Sequence, residues 1–355
     1  MSNKEITING IRYSNLSLIN LINHKIAEGE LWEQKIFEFL KNWYSKSDKI
    51  TLNTSGSTGN PKKITFYKTQ LKESAKTTIN YFNLKKETTA LLCLPADYVA
   101  AKLMIVRAIT GSLNLVLIPP DGNPLDKIDH PIDFAAMVPL QLINGIQENY
   151  TKLELINKLI VGGQKIPDQI VSKLKGIKTK IWETYGMTET LTHVAVRPIS
   201  PTIHNFFKAI GDVHFETDDR GCLAINCAYI QSTPIVTNDL AELKNHKEFR
   251  LIGRYDNTIN SGGIKIHIEE LENKILPHLK EKFAISSIED CNLGEKIVLV
   301  IENIQVSEQF LQDLIKQAKL TKYESPKMLI SVSKIPLTST GKTDRYTLRN
   351  MLHNQ

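Results

Sequence analysis

The sequence predicts an α/β protein: a large layered α/β N-terminal domain followed by a small α+β C-terminal domain. Three observations predict it. Between residues 33 and 161, stretches with helical spacing alternate with short apolar runs, the pattern of strands buried between helices. Beyond residue 256, two helix faces and two apolar strands follow each other within about 100 residues, a usual domain size. A chain of 355 residues is also long enough for two domains or one large one.

The elements follow in order. Residues 33–44 place Ile36, Leu40 and Trp43 on one helix face. Ile50 and Leu52, then Ile64, Phe66 and Tyr67, alternate as the arms of a half-buried hairpin. Residues 69–83 repeat Leu71, Ala75, Thr78 and Phe82 at helical spacing. Residues 91–94, 113–118 and 159–161 are the short apolar runs expected to be strands, and Gly162-Gly163-Gln164 closes the last of them. Residues 100–109 are apolar on nearly every side except at Lys102 and Arg107, which predicts a buried helix. In the C-terminal part, Ile268, Leu271, Ile275 and Leu279 form a helix face, and residues 297–301 a strand. Phe310, Leu311, Leu314 and Ala318 mark another helix, and residues 328–332 another strand. No internal repeat or low-complexity segment interrupts the chain.

Composition narrows the function classes. Hydrophobic residues make up 41% and charged residues 23%, as in ordinary soluble domains. The first ten residues hold no apolar signal core, and no apolar run is long enough to span a bilayer. Cys93, Cys222, Cys227 and Cys291 form no CxxC pair or His/Cys cluster, so neither a disulfide framework nor a zinc site is expected. A reducing, cytoplasmic setting is the default. The net charge of +6 comes from 44 basic and 38 acidic residues dispersed along the chain. That dispersion argues against a nucleic-acid surface and is compatible with small anionic ligands.

The chemistry concentrates in Thr54-Ser55-Gly56-Ser57-Thr58-Gly59-Asn60-Pro61-Lys62-Lys63. Hydroxyls donate hydrogen bonds, glycines let backbone N–H groups approach an anion, and lysines add charge. The ligand for such a loop is a polyphosphate. It is not a Walker A loop, because Pro61 stands where that motif needs glycine. A flexible Ser/Gly linker has a similar composition, but the alternating flanks argue against one.

This loop resembles the phosphate-binding loop of the adenylate-forming superfamily, which includes acyl-CoA synthetases, luciferases and peptide-synthetase adenylation domains. Three further stretches match that family in its order. They are Tyr185-Gly186-Met187-Thr188-Glu189-Thr190, then Gly253-Arg254-Tyr255-Asp256 running to Ser261-Gly262-Gly263-Ile264-Lys265, and finally residues 336–342 with Gly341-Lys342. Together they span residues 54 to 342. The chain resembles a member with a shortened N-terminal region.

The resemblance implies a role for each matched residue. Thr54, Ser55, Gly56, Ser57, Thr58, Gly59 and Lys62 would hold the β- and γ-phosphates of ATP. Gly163 would lie along adenine and the acyl group, although the Gly162-Gly163 turn reads equally well as a plain strand ending. Tyr185 would lie against adenine beside Gly186, Thr188 would contact phosphate, and Glu189 would help hold Mg2+. Taken alone, Tyr185 reads as a core aromatic. Asp239, after Thr237-Asn238, would accept hydrogen bonds from the ribose hydroxyls, where the plain reading is an Asn-Asp turn. Arg254 would touch ribose or phosphate. Asp256 would be the pivot of a mobile C-terminal domain, giving domains 1–255 and 256–355. Gly262, Gly263 and Lys265 would meet the pantetheine arm of coenzyme A. Lys342, on a Thr/Ser/Gly-rich tail, would be the catalytic lysine of adenylation.

The implied reaction joins a small carboxylic acid to coenzyme A at the expense of ATP. Within the family, the compact size and residues 94–104 resemble the o-succinylbenzoate–CoA ligase branch of menaquinone biosynthesis in a short form. Another aryl- or acyl-CoA ligase, or an adenylation module serving a carrier protein, remains open. The resemblance would make Tyr98 a substrate-binding residue; Asp97-Tyr98 stands where many relatives carry an aromatic-histidine pair, so the acyl-pocket wall departs from the family pattern here. Lys102 and Arg107 lie five residues apart, about 140° around a helix, and so do not easily share one anion. One of them is expected to pair within the protein, with a residue such as Asp97, and the other to meet a second carboxylate on the substrate; the plain reading is that both are structural ion pairs.

Overall fold

The computed structural model describes residues 4–53, 63–303, 307–338 and 343–353. It resolves into two compact units. The first comprises residues 1–215, 225–235 and 244–249; the second comprises 216–224, 236–243 and 250–355.

The first unit is a layered sheet. Its strands are β1 (Glu5–Ile8), β2 (Ile11–Ser14), β3 (Lys49–Asn53), β4 (Lys63–Tyr67), β5 (Thr89–Leu92), β6 (Asn114–Leu117), β7 (Ile132–Met137), β8 (Ile156–Val161), β9 (Lys180–Met187), β10 (Thr192–Ser200) and β11 (Phe207–Ala209). All but β3 and β4 lie in one sheet, in the order β11-β10-β9-β8-β7-β5-β6-β1-β2. From β9 through β1 neighbouring strands run parallel; β2, β10 and β11 pair antiparallel at the two ends.

Strand side chains alternate between faces, and each face has its own core. Leu92, Phe134, Ala136 and Ile160 pack with Leu18, Ile36, Leu40, Leu71, Ala75 and Val106. These come from helices Asn15–Glu28, Leu31–Trp43, Lys68–Tyr81 and Val99–Gly111. On the other face, Leu91, Ala135, Met137, Leu159 and Val161 pack with Leu142, Leu153 and Val171. Those belong to helices Pro139–Glu148, Tyr150–Leu153 and Asp168–Lys173. Burial on both faces explains why the strands read as continuous apolar runs. β3 and β4 form the expected hairpin, with Ile50 opposite Phe66 and Leu52 opposite Ile64.

The N-terminal strands add to the sequence expectation. Ile6 and Ile8 are buried, and β1 lies parallel to β6 with Thr7 opposite Asn114. Asn9 accepts from Leu117 N–H at 2.9 Å through Oδ1 and donates its own N–H to Leu115 O at 3.0 Å.

The second unit is α+β. Strands Thr258–Ser261, Ile264–His267, Phe283–Asp290, Gly294–Glu302 and Met328–Val332 form one sheet, with Gly294–Glu302 at its centre. Ile297, Leu299 and Ile301 face Leu271, Ile275, Leu311 and Leu314 on helices Ile268–Ile275 and Glu308–Gln317. Val298 and Val300 face Leu348 and Leu352 on helix Arg345–His353. Among the described residues, no helix is long and apolar enough to cross a membrane.

Candidate active site

In the first unit, β9 ends in Tyr185-Gly186-Met187 and turns through a single helical turn at Thr188–Thr190 into β10. The turn is tied locally: Met187 N–H donates to Thr190 Oγ1 at 2.9 Å, and Thr190 Oγ1 donates to Thr192 O at 2.7 Å. Gly186 is required by packing. A Cβ there would meet Thr192 O at 2.0 Å and His193 Cα at 2.5 Å. This close approach leaves Thr188 half-buried and Glu189 exposed on the outside of the turn.

Tyr185 points the other way from solvent. Its ring packs edge-on against Phe249, with centroids 5.0 Å apart, and lies 6.0 Å from Phe207. Below it, Glu183 and Arg197 form a buried pair, and Glu183 Oε1 accepts from Ile166 N–H at 2.9 Å. At the end of the adjacent parallel strand β8, Gly162 cannot carry a side chain, because a Cβ would lie 2.1 Å from Thr184 Oγ1. Gly163 follows with φ +96°, a conformation glycine adopts without strain.

Helix Val99–Gly111 separates the two cations predicted on it. Lys102 lies near the helix start and donates to the Asp97 backbone carbonyl at 3.2 Å. Tyr98, the residue before the helix, is 52% exposed. Arg107 is 1% exposed and belongs to the largest fully buried side chains. Its Nε and Nη2, and the hydroxyls of Ser74 and Thr110, have no hydrogen-bond partner among the described residues. Burial pushes the Arg107 pKa down to about 10, which still leaves a cation at neutral pH. His193 is buried nearby, 3.2 Å from Thr78 Oγ1 through Nε2; burial first, and the Arg107 charge second, hold it well below the usual histidine range. A buried guanidinium with two nitrogens lacking partners among the described residues is costly and favours an anionic partner.

In the second unit Arg254 gathers two carboxylates. Its Nε and Nη2 donate to the two oxygens of Asp256 at 2.9 and 2.7 Å, and Nη1 reaches Asp239 Oδ1 at 3.3 Å. The Arg254 hydrogen bonds hold the Asp256 carboxyl below the usual carboxylate range, and the same bonds raise Arg254. Gly262 and Gly263 form a two-residue hairpin loop between Ser261 and Ile264, with φ +59° and +79°. Both values suit the type I′ turn that glycine pairs favour. Lys265 follows, exposed.

Thr54, Ser55, Gly56, Ser57, Thr58, Gly59 and Lys62, and the tail lysine Lys342, lie outside the described residues. Three groups emerge only from the fold: the Glu183–Arg197 pair, the buried His193, and Arg220 bonded to Thr237 and Asn238. Opposite charges on the two strands flanking Tyr185-Gly186 are visible in the sequence, but their facing register is not.

Comparison with known proteins identifies the family. Residues 43–218 match the AMP-binding enzyme family. An acyl-CoA synthetase (AMP-forming)/AMP-acid ligase II-like protein from Dyadobacter fermentans is 31% identical in its crystal structure, with a TM-score of 0.62 over 92% of this chain and 96% of that one. A 2-succinylbenzoate–CoA ligase from Lactococcus lactis is 21% identical over 98% of this chain and 81% of its own length. A linear gramicidin synthase from Brevibacillus parabrevis is 24% identical over 83% of this chain, a region spanning 4% of that protein. The chain belongs to the adenylate-forming, AMP-binding enzyme family, the acyl-CoA synthetases and AMP-acid ligases.

Proposed function

We propose that this chain is an AMP-forming acid–CoA ligase whose acid is o-succinylbenzoate. The observation that carries the choice of acid is Arg107, a buried cation with two nitrogens lacking partners among the described residues. A diacid brings a second carboxylate to such a fork, whereas a fatty acid or benzoate does not. Lys102, already bonded to the Asp97 carbonyl, is the weaker choice for that role. The Lactococcus relative, a 2-succinylbenzoate–CoA ligase, supports the same reading.

ATP and coenzyme A are the co-substrates in this reading. The acid's carboxylate oxygen attacks the α-phosphorus of ATP, and pyrophosphate leaves. The coenzyme A thiol then attacks the acyl carbon, and AMP leaves. The protein contributes positioning and charge stabilisation. Residues 54–59 and Lys62 hold the departing phosphates, Thr188 adds a hydroxyl, and Tyr185 and Gly163 bound the adenine side. Asp239 and Arg254 hold the ribose. Lys342 bridges the acyl carboxylate and the nucleotide during adenylation. Rotation at Asp256 then withdraws Lys342 and presents Gly262, Gly263 and Lys265 to the pantetheine arm. Tyr98 contributes to the acyl-pocket wall.

Glu189 fits a Mg2+ site. Its carboxylate is exposed on the turn after Tyr185-Gly186. Mg2+ is typically held by one or two carboxylates together with substrate phosphates, and when bound it draws charge from the leaving pyrophosphate.

A pyrophosphate-exchange panel of aromatic and aliphatic acids tests the substrate, with o-succinylbenzoate expected to give the fastest exchange. Arg107→Met and Lys102→Met then test the carboxylate reader, scored as kcat/KM for the diacid against a monoacid analogue. Arg107→Met should lose about 2–5 kcal/mol of diacid preference, the usual cost of unpairing a buried charge. It should fold at least as stably as wild type, because it removes a buried cation with two nitrogens lacking partners among the described residues. Unchanged preference in both variants refutes the reading. The likeness to a gramicidin synthase keeps one competitor in the panel: faster transfer to a pantetheinylated carrier than to coenzyme A would make the chain an adenylation module.

A further inference from the structure

In the second unit, residues 218–221 form a tight loop. Asp218 Oδ1 accepts from the N–H groups of Arg220 and Cys222, each at 2.9 Å. Its other oxygen accepts from Arg220 Nε at 2.9 Å. Nη2 lies 2.8 Å from that same oxygen, so the carboxylate grips the arginine along its own loop, and the fork also reaches outward. Nη1 donates to Asn238 Oδ1 at 3.1 Å, and Nη2 donates to Thr237 O at 3.2 Å. The face of the guanidinium lies over the Tyr255 ring, with Cζ 5.1 Å from the centroid.

One side chain thus holds three segments: its own loop, the strand segment at Thr237-Asn238, and Tyr255. Each outer segment adjoins a group assigned above. Asn238 precedes Asp239, and Asp239 N–H donates to Thr237 Oγ1 at 3.0 Å. Tyr255 sits between Arg254 and Asp256, and Arg254 itself bridges Asp239 and Asp256. The two arginines tie the segment carrying Asp239 to the segment carrying Asp256 at two points.

We infer that Arg220 is a positioning residue that links nucleotide binding at Asp239 to rotation at Asp256. The inference rests on the ribose and pivot roles proposed for those two aspartates. Only arginine meets the geometry. Its planar fork offers donors in several fixed directions and a flat face for an aromatic ring, whereas lysine offers one point charge. Exposed ion pairs contribute little to stability, so an arginine with four partners on the surface acts mainly on geometry. A nucleotide on Asp239 then steadies the Thr237–Asn238 end of the clamp, and the clamp keeps Tyr255 fixed while the angle changes at the next residue.

The test uses the full-length chain. Arg220→Gln, Arg220→Lys, Tyr255→Leu and Asp256→Pro are compared by the dissociation constant for AMP and by single-turnover acyl transfer to coenzyme A. Transfer starts from the adenylate of whichever acid exchanges pyrophosphate fastest. Arg220→Gln should weaken AMP and slow transfer, each by about three- to tenfold, with little change in Tm. Arg220→Lys keeps a cation over Tyr255 but cannot span both Thr237 and Asn238, so it should recover part of the transfer rate and little of the AMP affinity. Tyr255→Leu should slow transfer and leave AMP affinity near wild type. AMP affinity and transfer both within twofold of wild type in folded Arg220→Gln overturn the inference, as does wild-type transfer in Tyr255→Leu. Asp256→Pro separates the two levels. If it blocks transfer while Arg220→Gln keeps both AMP affinity and transfer within twofold of wild type, only the Arg220 inference falls. If it leaves transfer at the wild-type rate, the pivot assignment falls and takes the linkage with it.

Discussion

Glu183 on β9 faces Arg197 on β10 across the antiparallel ladder, and the two form an ion pair with side chains only 3% and 13% exposed. Arg197 Nε donates to Glu183 Oε2 at 3.0 Å, and its guanidinium carbon lies 5.3 Å from the Phe207 ring centroid. The other carboxylate oxygen holds the Ile166 N–H, in the segment after Gly163. The pair therefore fixes two strands and one loop around the Tyr185 turn. Removing one partner leaves a buried uncompensated charge. Glu183→Ala should cost about 3–5 kcal/mol in urea unfolding. The double variant Glu183→Leu/Arg197→Met should recover most of that loss. A single-mutant cost below about 1 kcal/mol, the range of exposed pairs, would mean that water screens the site.

The buried His193 gives the stability a pH dependence of known sign. Burial and Arg107 keep it neutral in the folded state, while the unfolded chain protonates near the ordinary value of 6.5. Below that pH the unfolded state binds one more proton than the folded state. Stability is therefore fully present above about 6.5 and is lost as the pH falls, by at most about 1.4 kcal/mol per pH unit. Its hydrogen-bond neighbours among the described residues are Thr78 and Thr192, neither of which carries a charge to offset protonation. Denaturant midpoints between pH 5 and 8 should show this slope in wild type and a flatter one in His193→Gln. Parallel slopes would place the titration elsewhere.

Lys342 separates the two half-reactions. Lys342→Ala should slow adenylation by about 10²–10³-fold or more, the scale of losing one charge-stabilising group. Transfer from a presynthesised acyl-adenylate to coenzyme A should be largely spared. Pyrophosphate exchange and single-turnover thioester formation measure the two steps. Equal losses in both would remove Lys342 from its adenylation role.

How much of this was legible depended on distance along the chain. The faces of helices Leu31–Trp43 and Lys68–Tyr81 were readable because a helix repeats every few residues, and Ile36, Leu40, Leu71 and Ala75 are buried as that period requires. The β3–β4 hairpin was readable for the same local reason. The strand at Glu5–Ile8 was not, because it offers only two buried isoleucines and, besides the short neighbouring β2, the strand that seats it in the sheet begins at Asn114. The oddity of charges within residues 100–109 was visible, but choosing between Lys102 and Arg107 required knowing which helix face meets the core. The Glu183–Arg197 pair depends on strand register. The gathering of Asp239, Arg254 and Arg220 depends on three segments that no local pattern connects.

The N-terminal hairpin has a consequence for handling the chain in the laboratory. β1 covers the flank of β6, and Asn9 and Gly10 are stitched to it through Leu115, Leu117 and Asn114. Trimming residues 1–14 would strip this border and leave the N–H and C=O groups of β6 open to strand-to-strand aggregation. The same geometry makes the border replaceable. A synthetic peptide of residues 1–14, supplied to the trimmed chain during refolding, should dock along β6 and restore solubility in trans, and the same peptide with proline at Ile8, whose partner on β6 is Leu115, should not.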